Sequence, residues 1–197
     1  MQVKKTIVAA ARVFTTNIRF LGGKIVHRQH FSYSPVTCLA LSDSIALSSK
    51  SSINFGKRLR TRGGCRFSVQ GDGVLEFGDD VFLNSGCQFN CRLKMSIGSG
   101  CEFGPNVLVY DHDHDFRSRG GLKEGSFKYG EVLIGENCWI GAGTIILRGT
   151  TIGDNCVIGA GCVLNGSYSD HSLIVQKRDT SIAFSVVDES LGETGID

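Results

Sequence analysis

Proline is almost missing, with two residues in 197, which excludes proline-rich linkers and collagen-like repeats. No apolar run reaches the roughly 18 residues that a bilayer-crossing helix requires. There is a single tryptophan, and acidic residues are nearly absent up to Arg66, where Asp43 alone stands against twelve Lys and Arg. What is plentiful is glycine, 26 residues, about twice its usual share. With 41% hydrophobic and 20% charged residues, the chain has the composition and length of one folded domain. Much glycine with little proline favours tight turns over long helices.

The net charge of +2 hides a segregation: the first 66 residues are strongly cationic and the remainder is net acidic. Such asymmetry points to an anionic partner or to a solvated basic face. Residues 3–21 interleave Lys4, Lys5, Arg12 and Arg19 with Ile7, Val8, Val13, Phe14, Ile18 and Phe20. That amphipathic pattern suits a helix that either lies on an anionic membrane surface or caps the structure that follows. No nucleic-acid partner is expected. Lys4 and Lys5 followed by Thr6 to Ala11 resemble the start of a secretory signal, but Arg12 interrupts the apolar stretch. A cytoplasmic location, with peripheral membrane contact through residues 3–21 as an option, is the resulting expectation.

Reading from Ile134 in steps of six gives Ile134, Ile140, Ile146, Ile152, Ile158 and Leu164, with Gly following at 135, 141, 153 and 159. Two residues before the aliphatics from Ile140 onward stand Cys138, Thr144, Thr150, Cys156 and Cys162. The rule recurs upstream in groups of three: Phe55, Thr61, Phe67; Phe77, Leu83, Phe89; Ile97, Phe103, Val109. A short strand plus a corner per hexad, three hexads per coil, makes a triangular prism with these side chains inside. The fold class predicted is all-β, a parallel β-helix of hexapeptide repeats. The expected division is a basic N-terminal segment or cap, mixed or helical, over 1–52; the β-helix over 53–169, with a protruding loop at 110–131; and a tail over 170–197.

The register also assigns the cysteines. Cys65, Cys87, Cys101, Cys138, Cys156 and Cys162 occupy the small inward position, so they are expected to behave as buried hydrophobes rather than ligands or bridges. Cys38 and Cys91 fall outside that position and are expected to supply the reactive thiols.

The stretch Ile134-Gly-Glu-Asn-Cys-Trp139-Ile-Gly-Ala-Gly143, continued by Thr151-Ile-Gly-Asp-Asn-Cys-Val-Ile-Gly-Ala-Gly161, resembles the hexapeptide-repeat acyltransferases. It is most similar to the sugar O-acetyltransferases of the maltose and galactoside acetyltransferase type and to those of capsule and lipopolysaccharide synthesis. The resemblance covers roughly Ile53 to Asp179. It implies a left-handed coil, a homotrimer, acetyl-CoA as co-substrate held between neighbouring prisms, a sugar or glycan hydroxyl as acceptor, and no metal.

Chemistry is expected where the repeat breaks, at Tyr110-Asp-His-Asp-His-Asp-Phe116 and the polar stretch to Glu131. Acyl transfer to an alcohol needs a base for the hydroxyl proton, a task suited to histidine. Family spacing, eight residues after Asn106-Val107, makes His114 the expected general base, with His112 second. The resemblance also implies acceptor contacts from Asn90 in the Phe89-Asn90 step, and acceptor roles for His112 and Asp111. The family's loop glutamate is Lys128 here, so the partner that orients His114 is open. Glu124 is the first choice, then Asp111 or Glu131, or a backbone carbonyl. For acetyl-CoA the resemblance points to Trp139, Gly141, Ala142, Gly159 and Ala160. The family's Thr-Lys after the last coil is Asn165-Gly166, leaving Lys177 and Arg178 for the coenzyme phosphates. Two other classes share parts of the pattern: a zinc enzyme like the gamma carbonic anhydrases, with His112 and His114 as ligands, and a non-catalytic β-helix scaffold.

Overall fold

A computed structural model describes residues 10–18, 20–21 and 31–177. Every inward hexad residue predicted above is buried, and so are the residues two positions before them. The reason is strand alternation: with a period of two, the small residue at the corner and the large one in the strand point to the same side. Three parallel sheets form the prism's sides. The first contains Phe31–Tyr33, Ser52–Phe55, Val74–Phe77, Lys94–Ile97, Val132–Ile134, Thr151–Ile152 and Ser167–Tyr168. The second runs from Arg60–Thr61 through Phe82–Leu83, Glu102–Phe103, Trp139–Ile140 and Val157–Ile158 to Leu173–Ile174. The third runs from Ser44–Leu47 through Arg66–Val69, Gln88–Cys91, Leu108–Tyr110 and Ile145–Ile146 to Val163–Leu164.

Successive coils sit in register, so like stacks on like. In the third sheet Ile45, Phe67, Phe89, Val109, Ile146 and Leu164 form one inward row. Phe67 stacks on Phe89 at 5.7 Å, and Phe55 stacks on Phe77 at 5.7 Å. The two stacks meet edge to face, Phe55 on Phe67 at 5.1 Å and Phe77 on Phe89 at 5.0 Å. These are the favoured aromatic geometries. Asn106, Asn137 and Asn155 turn corners with φ near +55°, at 58, 54 and 56°, the left-handed region that asparagine tolerates better than most residues.

The ladder is longer than the hexad pattern indicated. Phe31–Tyr33 already pairs with Ile53 to Phe55, and Leu173–Ile174 pairs with Val157–Ile158, so coil strands lie on both sides of the expected 53–169 limits. The flanking coils keep the six-residue step, in Tyr33, Leu39 and Ile45 at one end and in Tyr168 and Ile174 at the other, all packed on the core, but no glycine follows any of these residues. Residues 10–18 and 20–21 are helical and close the open end of the prism. Phe20 stacks on Phe55 at 5.8 Å and meets Phe31 and Tyr33 edge-on at 4.7 and 4.6 Å. Thr16 bonds the backbone of Leu39, and an Arg12 Nη2–H donates to Thr61 O at 2.8 Å. Residues 3–9 and Arg19 of the amphipathic pattern lie outside the described residues. Among the described residues no helix is long and apolar enough to cross a membrane. Asp43, the lone acid of the cationic segment, is buried as a turn anchor, accepting from Ala40 N, Cys65 N and the Thr61 hydroxyl.

Seven cysteines are buried and Cys38 is partly exposed. Cys91 corrects the expectation of a reactive thiol. Two residues after Phe89 in the same strand, it also points inward, and its Sγ–H donates to Val74 O at 3.3 Å. Burial and the neighbouring Asp111 carboxylate push its pKa up. Titration of the folded protein with a thiol reagent is therefore expected to modify Cys38 alone, the other seven reacting only on unfolding. Several fast-reacting thiols in the folded state would contradict the register.

Candidate active site at the break in the repeat

The break leaves the third sheet after Leu108–Tyr110 and re-enters the first sheet at Val132–Ile134, so it projects from the corner between those two sides. It is not a loose polar loop. His112–His114 pairs antiparallel with Phe127–Tyr129, with His112 opposite Tyr129 and His114 opposite Phe127. Between them lies the 3-10 turn Gly121–Glu124. Alternation puts His112 and His114 on the same face of this hairpin. Arg148 Nε–H donates to Asp113 at 2.6 Å, and Lys128 Nζ lies 3.3 Å from Asp115, on the opposite face.

Asp111 anchors the hairpin to the preceding coil. Fully buried, its carboxylate accepts from Arg92 N at 2.9 and 3.0 Å, from Leu93 N at 2.7 Å and from His112 Nδ1 at 2.8 Å. Burial alone would raise its pKa, but the bonds from His112 and from the Leu93 and Arg92 amides hold it below the usual carboxylate range. Two expectations change as a result. Asp111 is closed to an acceptor, because its oxygens are consumed by backbone amides, and it pairs with His112 rather than His114.

The His114 ring lies against Phe127, centroids 4.6 Å apart, and is exposed, with no hydrogen bond to its ring nitrogens among the described residues. Glu124 is not brought to it: the Glu124 carboxylate accepts from Gly120 N at 3.2 Å, closing its own turn. Glu131 is exposed and likewise makes no bond to His114. Asn90, by contrast, joins both histidines. Its strand pairs with Leu108–Tyr110, and Asn90, His112, His114, Arg92, Gln70 and Phe127 line one cleft of 230 Å³. The Arg92 guanidinium lies 4.1 Å from the Phe127 ring centroid and donates to Gln70 Oε1 at 2.7 Å. Arg92 and Gln70 are functional candidates that sequence reasoning missed. The signal was available for Arg92, two residues beyond Asn90; for Phe127 it was not, because hairpin register has no periodic signature.

The donor-side residues lie on a different edge. Trp139 is 57% exposed, flanked in register by Glu102 and Val157. Gly141 and Ala142 form the corner after the second sheet, with Gly159 and Ala160 one coil on. A Cβ on Gly141 would lie 2.5 Å from Ala160 N, so this glycine is required by coil stacking whatever binds outside. Ala142 and Ala160 are exposed. One chain thus separates the Trp139 edge from the hairpin edge. Lys177 is exposed beyond the last strand, and Arg178 lies outside the described residues. Among the described residues no three His, Cys, Asp or Glu gather as metal ligands.

Residues 131–166 match the family described as bacterial transferase hexapeptide, six repeats. The putative lipopolysaccharide biosynthesis O-acetyl transferase WbbJ of Escherichia coli is 28% identical over 141 residues, 62% of this chain and 67% of that one. Nodulation protein L of Rhizobium leguminosarum is 39% identical over 80 residues, 39% of this chain and 40% of that one. The chain therefore spans well under two thirds of the second relative's length. Among solved structures, a point variant of AntD, an N-acyltransferase from Bacillus cereus in complex with dTDP-4-amino-4,6-dideoxyglucose and coenzyme A, superposes with a TM-score of 0.60. It is 16% identical, with 82% of this chain and 88% of that one covered, a likeness of fold.

Proposed function

From a β-helix that carries the bacterial transferase hexapeptide, we propose an acetyl-CoA-dependent O-acetyltransferase acting on a sugar hydroxyl, in surface polysaccharide or glycan synthesis. One observation carries the reading: at the long break in the coils, two histidines and an asparagine converge on a cleft open to solvent. The acetyltransferase names of relatives that align with those coils support it. Acetyl-CoA supplies an activated acyl thioester. The protein's tasks are then to orient a hydroxyl, remove its proton and hold the donor nearby. Asn90 orients the acceptor. His114 takes the proton: both ring nitrogens are unspent, and Phe127 fixes its ring plane. The Asp111–His112 pair seats the hairpin and so positions His114. No acyl-enzyme is needed.

A second reading is favoured by the same pair. A histidine whose Nδ1 is held by a buried carboxylate presents Nε2 as a ready base, which would make His112 the proton acceptor and Asp111 its positioning residue.

The donor side fits a coenzyme arm: an exposed indole beside the small corners of Ala142 and Ala160 lets a ligand approach backbone amides. Because hairpin and Trp139 occupy different edges, a complete site takes the hairpin of one copy and the Trp139 edge of the next, as a threefold assembly provides. Trp139 is the only tryptophan, so its emission reports on that edge directly. Acetyl-CoA is expected to change the emission saturably, and light scattering to give a mass near three chains. A saturable coenzyme signal that persists in a strict monomer would remove the shared site. Calorimetry detecting no coenzyme binding at all would remove the acyltransferase.

A further inference from the structure

The cleft does not end at the histidines. A second cavity, of 320 Å³, adjoins it and is lined by Ser48, Gly71, Gln70 and Arg92, the last two shared with the first. The groove therefore climbs the same prism edge toward the cationic first coils, with Arg92 at the junction. The guanidinium is held in place rather than neutralised. Gln70 takes one of its five N–H donors, the Phe127 ring covers one face, and no carboxylate pairs with it among the described residues. Asp111, which accepts from the Arg92 backbone amide, spends its oxygens on backbone amides and His112. A planar, fixed, unpaired guanidinium lining a polar groove is suited to a bidentate oxyanion.

We propose that Arg92 is a specificity residue that reads an anionic group on the acceptor, a phosphate or carboxylate carried beside the sugar whose hydroxyl faces the histidines. The inference rests on the acyl-transfer reading only in calling the ligand an acceptor. Acceptors bearing a glycosyl phosphate or an acidic sugar then fill both cavities, whereas a neutral monosaccharide fills the first alone.

The test is binding without coenzyme. Glucose, glucose 1-phosphate and glucuronate are titrated into protein labelled at histidine, at fixed ionic strength, with the His112 and His114 resonances as readout. At least one anionic probe should bind about tenfold or more tightly than glucose, as a charge-assisted hydrogen bond provides. Arg92→Gln should abolish that advantage, weakening the anionic probe about tenfold more than it weakens glucose; Arg92→Lys should restore part of it. Preference for the phosphate identifies a glycosyl phosphate, and preference for the carboxylate an acidic sugar. Circular dichroism and acetyl-CoA affinity should match the wild type in both variants. The proposal is overturned if no probe binds, if glucose binds as tightly as the anions, if the advantage survives Arg92→Gln, or if that variant loses coenzyme affinity instead. Failure of the acyl-transfer reading shows separately, as Arg92-dependent anion binding with no acyl transfer to any acceptor.

Discussion

His114→Ala is expected to lower kcat by about 10²- to 10⁴-fold, the usual share of a positioned base. The substitution removes an exposed ring that touches Phe127 and carries no hydrogen bond. The hairpin should therefore stay paired, and affinity for acetyl-CoA should barely move, since Trp139 lies on another edge. His112→Ala is expected to cost less, through looser positioning, because Asp111 keeps its bonds to Arg92 N and Leu93 N. Steady-state kinetics on the two variants decides between the histidines. If His112→Ala is the more damaging and Asp111→Asn matches it, the base is the carboxylate-held His112. A fully active His114→Ala enzyme excludes His114 as the proton acceptor.

Asp111→Ala is expected to undock the hairpin, because it strips three donors of a charged acceptor at once. Bonds to a charged group contribute about 1.5–3 kcal/mol each, and buried donors left unpaired add to the loss. A local destabilisation on the order of 3 kcal/mol or more follows. Amide exchange should show it as lost protection at Arg92, Leu93 and residues 111–131, with the coil strands on either side unchanged. The pH dependence has a definite sign. A carboxylate whose folded pKa is depressed stabilises above its unfolded value and ceases to do so as pH falls through the folded one. Docking should thus persist in mild acid and fail only below the ordinary aspartate range, about pH 3.9. Wild-type protection in Asp111→Ala would show that other contacts, such as Arg148 with Asp113, hold the hairpin.

The prism was legible because its physics is periodic. A side chain every six residues must fill the same interior position, so Ile134 to Leu164 and the cysteines two residues earlier declared themselves without any partner information. Cys91 did not, because its inward direction comes from a longer strand that continues past the hexad position. Strands at Phe31–Tyr33 and Leu173–Ile174 escaped for another reason: their coils keep the six-residue step, in Tyr33, Leu39 and Ile45 and in Tyr168 and Ile174, but lack the glycine that follows it in the regular coils. At the site, the break and its two histidines could be read from the interrupted repeat, while Asn90 and the choice of His114 came from the family resemblance. The Asp111 anchor, the idle Glu124 and the Arg92–Phe127 contact could not, since each depends on which atoms a hairpin brings together across the sequence.

The most direct test of acyl transfer by this cleft is mass spectrometry of the acceptor. Wild-type protein is incubated with acetyl-CoA and a panel of neutral, phosphorylated and acidic sugars, and free coenzyme A thiol is counted alongside acetylated product. The account predicts an acetyl ester on at least one sugar in equal amount to the thiol released, with both reduced together in His114→Ala or, on the second reading, His112→Ala. Thiol release without an acetylated sugar, or sugar acetylation that survives loss of both histidines, would contradict it.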